Sequence, residues 1–371
     1  MRKLRFLTAG ESHGCCLTAI VDGLPAGIPI DPTVIDHELS RRQGGYGRGK
    51  RMQIERDHAE ILTGLINGKT TGAPVALRIQ NRDWVSWREH WAVSDLPNLS
   101  VPRPGHADYA GMIKYGFSDA RPILERASAR ETAARVAVGA LAKQLLAQFG
   151  VRTGSYVEQI GSVKAQIPDV TPEKLWKLAE ASDVRCPNPA AAKKMRSEID
   201  TARAAGDTCG GVFVVIATGV PVGLGSHVQW DRHLDALLAQ AIVSIPAVKG
   251  IEIGDAFENA AKLGHEVHDE LFPDENGRIR RETNRAGGIE GGMTNGTPIV
   301  VRAAVKPIPT TLSPLRSVDL ATGKATLTEY QRSDVCVVPA AAVVGEAMIA
   351  WTLADALLEK YGGDSLAEMK R

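Results

Sequence analysis

The chain has 371 residues, 44% of them hydrophobic and 23% charged, with a formal net charge of +1 at pH 7. That length suits two average domains or one large layered one, and the balanced charge argues against nucleic acid or a membrane surface as partner. Six residues each of Phe, Tyr and Trp against 37 glycines point to Gly-rich loops on an aliphatic core. Five cysteines without a C-x-x-C read as reduced thiols of a cytoplasmic protein, and the neighbours Cys15 and Cys16 are poorly placed to pair with each other. "MRKLRFLTAG" is basic but lacks the apolar stretch of a signal peptide. The apolar run "GGVFVVIATGVPVGLG" is short for a membrane span and is broken by Gly and Pro, so the expectation is a soluble protein.

Candidate strands at residues 4–8 and 18–22 are followed by "VIDHELSRRQ", which reads as a helix. A strand at 75–79 precedes "SARETAARVAVGALAKQLLAQFG", which opens with a capping-box pattern, Ser128 to Glu131, and stops at Gly150. "TPEKLWKLAEA" and "NPAAAKKMRSEIDTARAAG" each carry a cap residue followed by Pro at the first helical position. A strand at 212–217 leads to a helix starting at Asp231. Another at 299–305 precedes a long apolar helix from about Pro339 to a glycine stop at Gly362.

The two halves echo each other. "GLPAGI" from Gly23 resembles "GVPVGL" from Gly219, each ahead of a helix starting at an aspartate, Asp31 or Asp231. "GAPVALR" from Gly72 resembles "GTPIVVR" from Gly296, and each half finishes with a long Ala-rich helix. Four features in one order predict a duplicated β-α-β-β-α-type unit, with pseudo-repeats over about 1–150 and 210–362 of a single domain spanning 1–371. Chance recurrence of Gly-Pro turns is the alternative. Duplication leads to two sheets with helices packed between them, in the α+β class.

Several motifs compete for chemistry. Gly10-Glu11-Ser12-His13-Gly14 fits G-x-S-x-G, but a nucleophile elbow needs a helix after the serine, and "CCLTAIVDGLPAG" reads as a strand and a turn. Gly44-x4-Gly49-Lys50 fits a P-loop until Arg51 stands where a magnesium-binding Ser or Thr belongs, and a helix comes before it instead of a strand. What remains is a Gly-rich loop region bearing Arg41, Arg42, Arg48, Lys50, Arg51 and Arg56. It is either a solvated basic face or a loop folded over a small polyanion, and the interleaved glycines favour the second. His13 and His106 both fall in polar Gly-containing loops; structural or exposed histidines are the bland reading, acid–base work the sharp one. No H-x-x-x-H and no carboxylate cluster has metal-ligand spacing, so no metal is expected. "ETNRAGGIEGGMTNGTP" is a second long Gly-rich loop, either a surface turn region or a functional loop.

Taken together, "TAGESHG", "RRQGGYGRGKR", "RPGHADYAGMIKYG", "ERASARETAARVAVGA", "GGVFVVIATGVPVGLGSHVQWDRHLDA", "GGIEGGMTNGTPIVVRAAVKPIPT" and "QRSDVCVVPAAAVVGEAM" resemble the chorismate synthase family, in the family's order and across nearly the whole chain. The resemblance implies a β-α-β sandwich of two antiparallel sheets around central helices, usually assembled as a homotetramer. It implies conversion of 5-enolpyruvylshikimate 3-phosphate to chorismate and phosphate by an anti-1,4-elimination, using reduced FMN without net redox change. His13 and His106 match the family's two catalytic histidines, assigned here to the leaving phosphate and to the flavin respectively. Asp334 matches the acid that helps remove a proton at the flavin's reactive nitrogen, and Ser12 becomes a supporting hydrogen-bonding residue. Arg42, Arg48, Arg103 and Arg130 suit a substrate with two carboxylates and a phosphate, and Arg42 and Arg48 also match positions associated with NADPH contact. The flavin positions that match are Arg126, Ala127, Ser128, Pro246, Ala247, Gly291, the run Lys306, Pro307, Ile308, Pro309 and Thr310, and Arg332.

The chain departs from the family pattern at Lys50, at Val335 after Asp334, and at Cys15-Cys16, none of which removes a proposed catalytic group. A catalytically silent flavin- or anion-binding scaffold and an RNA-binding module are the rival readings. The retained histidines, Asp334 and arginines weigh against the first, and the near-zero charge against the second. With no dinucleotide fingerprint, the expectation is an enzyme whose flavin is reduced from outside, by NADPH through a separate reductase or by another reductant.

Overall fold

A computed structural model describes residues 4–49, 54–91, 96–331 and 333–371. Strands β1 (Arg5–Ala9), β2 (Cys16–Asp22), β3 (Ala59–Thr63) and β4 (Val75–Gln80) form a sheet in the order β1-β2-β4-β3, antiparallel throughout. Strand period two decides which face is buried. Leu17, Ala19 and Val21 of β2 pair with Ile79, Leu77 and Val75 of β4, and all six point into the core.

A second antiparallel sheet is built from β5 (Arg152–Ile160), β6 (Gly211–Thr218), β7 (Val248–Ile253) and β8 (Ile299–Val305). Its order is β7-β8-β6-β5, with the short strand Val163–Lys164 beyond β5. Each strand occupies the place of the strand four numbers earlier in the first sheet. The fold is thus a mixture of helix and sheet, in the α+β class, and both large sheets have one strand order.

The helices are α1 (Pro32–Gln43), α2 (Trp84–Trp91), α3 (Asp108–Tyr115), α4 (Arg121–Ala127), α5 (Thr132–Ala147), α6 (Pro172–Glu180), α7 (Pro189–Ala204), α8 (Leu234–Val243) and α9 (Val338–Tyr361). Helix α5 packs on β2 and β4, α9 packs on β5 and β6, and the two helices pack on each other. Their contact is close because both are rich in small residues: a Cβ on Gly139 would lie 2.4 Å from the Cβ of Ala347. By length and apolarity α9 could cross a bilayer, but 94% of its most apolar stretch is buried inside the protein. At its middle sits the fully buried Glu346, accepting from Arg41, Lys143, Ser155 and Arg185. Burial opposes its ionisation, yet Arg41 and Lys143 hold the carboxyl well below the usual range. Those four partners come from α1, α5, β5 and the turn after α6, so one carboxylate ties four segments to α9.

Most expected elements are present within two residues of their predicted limits. The capping box is not. Ser128 accepts from Arg130 N at 3.3 Å and so caps a 3-10 turn, Ala129–Glu131, while the Glu131 carboxylate turns to Arg135 and Thr8. The helix expected from Asp231 likewise begins with a 3-10 turn, Trp230–Arg232, and α8 starts at Leu234. A hairpin of β9 (Arg316–Asp319) and β10 (Lys324–Leu327) braces the segment before His106: Ser317 Oγ donates to Pro102 O at 2.6 Å and Leu320 N to Ser100 O at 2.9 Å.

Candidate active site

The loop carrying His13 is clamped between β1 and β2. Gly10 opens it at φ +109°, where a Cβ would meet Cys16 O at 2.4 Å, so only glycine fits. Beyond β4, the Asn81 amide donates to Gly14 O at 2.7 Å and to Glu11 O at 3.1 Å, which fixes the loop from below. Ser12 N donates to Glu125 O, and Ser128 Oγ donates to Ser12 Oγ at 3.1 Å. β2 follows the loop directly, so no helix stands behind Ser12.

The buried Glu125 of α4 accepts from His13 N and from the His13 ring at Nδ1, both at 2.7 Å. A carboxylate at that distance fixes the proton on Nδ1 and leaves Nε2 to face a ligand. The Trp87 ring of α2 lies over the imidazole, with centroids 4.4 Å apart. His106 is built the same way: its Nδ1 donates to Asp108 Oδ1 at 2.5 Å. In both pairs the ring is partly open, 19% and 17% exposed, while the carboxylate is closed off at 5% and 2%.

Arg103 completes the second pair. Its Nε donates to Asp108 Oδ2 at 2.8 Å, Nη2 to Oδ1 at 3.1 Å, and Nη1 to Thr310 Oγ1 at 3.1 Å. Burial alone would raise the Asp108 pKa, but the hydrogen bonds from His106 and Arg103 hold it well below the ordinary carboxylate range. With its donors so committed, Arg103 holds Asp108 in place.

Between the two histidine loops lies a buried cluster of arginines. Arg42, in the last turn of α1, donates to Thr132 Oγ1 at 3.0 Å, Ala129 O at 3.2 Å and Asp57 Oδ2 at 3.4 Å. Arg130 grips both oxygens of Asp57, at 2.7 and 2.9 Å, and donates to Asn81 Oδ1 at 2.8 Å. Arg48 pairs with Asp334 at 2.8 Å, and Gly49 N donates to the other oxygen of that carboxylate. Burial pushes Arg42 down to about 9; Asp57 opposes the shift, and the nearby charges of Arg130 and Arg48 add to it. A buried guanidinium so destabilised gains from a further anion. Among the described residues, Arg130 Nη2 is buried without a hydrogen-bond partner, and a carboxylate oxygen of Glu55 lies 3.9 Å from it.

Two runs of contacts link these groups. One goes from the His13 loop through Asn81, Arg130 and Asp57 to Arg42. The other goes from Arg48 through Asp334, Ser333 and Thr310 to Arg103 and His106, and the charges of Arg48 and Asp334 act on Arg42 across the gap.

The flavin positions divide. Arg126 donates only to Thr8 and Gly10 oxygens, and Lys306 Nζ only to Gly105 O at 2.9 Å; among the described residues neither has a carboxylate partner. Burial, and then Lys249, pushes the Lys306 amine down. Ala247, at φ +69°, accepts from Lys306 N at 2.9 Å, which brings Pro246 and Ala247 beside the run from Lys306 to Thr310. Ala127 and Ser128 stand between Arg126 and the arginine cluster. Arg126 thus borders the His13 loop and Lys306 the His106 loop, each a cation suited to an anionic group. Gly291 stands apart, in the turn between Ile289–Glu290 and Met293–Thr294 near the start of α8. Arg332, with Lys50 and Arg51, lies outside the described residues. Glu125, Asp108, Asp57, Asn81 and Trp87 adjoin the candidate residues without having been singled out, although Glu125 and Asp108 fall inside the segments "ERASARETAARVAVGA" and "RPGHADYAGMIKYG". Among the described residues no three His, Cys, Asp or Glu side chains converge to hold a metal.

The family model for chorismate synthase matches residues 4–358. The chorismate synthase of Symbiobacterium thermophilum is 54% identical over 379 aligned positions, covering 99% of this chain and 97% of the relative. That of Aquifex aeolicus is also 54% identical, covering 100% of this chain and 96% of the relative. A crystal structure of chorismate synthase superposes with a TM-score of 0.80 at 46% identity, covering 100% of this chain and 96% of that one. The chain therefore belongs to the chorismate synthase family, and is a lyase.

Proposed function

We propose that the chain catalyses the anti-1,4-elimination of phosphate from 5-enolpyruvylshikimate 3-phosphate, giving chorismate in the shikimate pathway to aromatic amino acids. The observation that supports this reading is a set of arginines held by aspartates, reached by one run of contacts from the His13–Glu125 pair and by another from the His106–Asp108 pair. Arg42, Arg48 and Arg130 supply a polyanion site of planar donors in a low-dielectric setting, where charge developing on a leaving phosphate is stabilised most. His13, its Nδ1–H held by Glu125, delivers a proton from Nε2 to the departing phosphate. The substrate C–H is not acidic, so a positioned base alone does not complete the elimination. Reduced FMN, when bound, supplies reversible electron donation to the breaking bond without being consumed.

Arg126, Ala127, Ser128, Pro246, Ala247, the run from Lys306 to Thr310, Gly291 and Arg332 are the residues proposed to hold that flavin. His106 keeps its ring proton at Nδ1 on Asp108 and offers Nε2 towards the flavin, and Asp334 assists proton removal there. Arg103 is proposed as a positioning residue for this pair instead of a substrate contact. The sequence has no dinucleotide fingerprint, which supports a flavin reduced from outside, by NADPH through a separate reductase or another reductant. A cytoplasmic homotetramer without nucleic-acid or membrane partners completes the proposal. The shared strand order of the two sheets supports a β-α-β sandwich formed by duplication, with the second copy opening at β5.

The test is an anaerobic assay with chemically reduced FMN and 5-enolpyruvylshikimate 3-phosphate, following chorismate and phosphate together. Equal release of both, abolished by His106→Ala, is expected. No product from folded, flavin-loaded protein would reject the elimination and favour a silent scaffold.

A further inference from the structure

Cys15 and Cys16 end the His13 loop, and the elimination gives them no task. Neighbouring side chains in an extended strand point to opposite faces. Here the chain bends through residues 12–15 before β2 begins at Cys16, and the two thiols converge with Sγ atoms 3.6 Å apart. Cys15 is exposed, Cys16 half-buried, and both are free. Their backbone is held in place: Asn81 N donates to Cys15 O at 3.1 Å, and Cys16 stands in register with Gln80.

Joining the two as a disulfide is unfavourable. Adjacent Cα atoms are about 3.8 Å apart, whereas disulfides span about 4.4–6.8 Å. Bridging by one soft atom meets no such obstacle. With sulfur bonds of about 2.3 Å to that atom, a separation of 3.6 Å gives an angle of about 103° at the centre, close to tetrahedral. Burial, and then Cys15 itself, pushes the Cys16 thiol up, which keeps it protonated and slow towards single-thiol reagents.

We propose that Cys15 and Cys16 form a chelating dithiol for trivalent arsenicals, and that occupancy of this site stops turnover because the organic group carried by the arsenic stands against the adjoining His13 loop. The chemistry balances without oxidant or reductant. An arsenoxide, R–As=O, loses its oxygen as water, taking up both thiol protons; two S–H bonds break, two As–S bonds form, and arsenic remains trivalent. Cys209 and Cys336 form the other close pair, but both are buried and out of reach of a bulky reagent. The inhibitory half rests on the proposed elimination; the binding half does not.

The experiment treats full-length protein with phenylarsine oxide and reads intact mass and turnover together. One phenylarsenic per chain is expected, removed by 2,3-dimercaptopropanol and not by excess 2-mercaptoethanol. Cys15→Ala or Cys16→Ala should weaken retention roughly 100-fold, since one thiol cannot chelate, whereas Cys209→Ala retains the adduct. The Cys15→Ala/Cys16→Ala enzyme should keep its turnover in the reagent while wild type loses it. No adduct on wild type, or an undiminished one on the double variant, overturns the dithiol. Full turnover with the adduct in place overturns the inhibition. Absence of turnover before treatment would reject the elimination reading, while the mass measurement still decides the dithiol.

Discussion

Glu125 holds His13 twice, through the backbone N–H and through ring Nδ1, each at 2.7 Å. One buried carboxylate thereby fixes the residue's position and its tautomer together, and Trp87 covers the ring face. Glu125→Gln retains the shape but loses the charge that supports a proton-donating imidazole. Its kcat should fall about 100-fold, the range of general-acid contributions, with KM little changed. Undiminished kcat would show that His13 acts without this partner.

Asp108 makes stability depend on pH. Its folded pKa is depressed, so its contribution is fully present above the unfolded value of about 3.9 and is lost as pH falls towards the folded one. Asp108→Asn leaves Arg103 and His106 without their carboxylate and should cost about 3 kcal/mol at pH 7. The gap between wild type and variant should narrow from about pH 5 downwards. Urea unfolding across that window reads it, and a gap constant with pH would contradict the account.

Arg130→Lys preserves charge but removes the planar fork that grips Asp57 and the buried Nη2. If that fork helps hold a polyanion, KM should rise about 10- to 100-fold, as expected for one or two charge-assisted hydrogen bonds. Steady-state kinetics with a smaller effect on kcat would agree; an unchanged KM would remove Arg130 from substrate binding.

Gly139→Ala sets two effects against each other. Alanine favours a helix interior over glycine by about 0.5–1 kcal/mol, but its methyl would lie 2.4 Å from Ala347 Cβ and force α5 from α9. Overpacking of that kind costs about 1–3 kcal/mol, so net destabilisation is expected in urea melts. A stabilised variant would mean that the two helices separate easily.

The long Ala-rich helices and the aliphatic strands β2, β4, β6 and β8 were legible because their patterns are uninterrupted. Strand β5 was not: "RTGSYVEQI" contains a glycine and several polar residues. Gly154 is there because the Trp176 ring of α6 lies where its Cβ would be, at 2.4 Å. Helices α3 and α4 follow Ala107 and Ala120, which provide no side-chain cap, so only Asp108 and Pro122 in their first turns mark their starts. At the site, the histidines stood out in their loops. Glu125 lies 112 positions from His13, and Asp57 73 from Arg130; chain folding alone brings such partners together. Arg103 suited a substrate carboxylate by residue type, and its pairing with Asp108, five positions on, was not foreseen.

Helix α9 follows every strand of both large sheets in the chain, yet it packs against β5, β6, α5 and α8. During synthesis, the apolar faces awaiting it emerge first and stay uncovered until it arrives. Closure of the core is therefore a late, long-range event, of the kind that slows folding and leaves partly folded chains prone to association. The lone buried glutamate in that helix must also find three cations from distant segments before water leaves, which makes correct docking of α9 a proofreading step for the whole molecule.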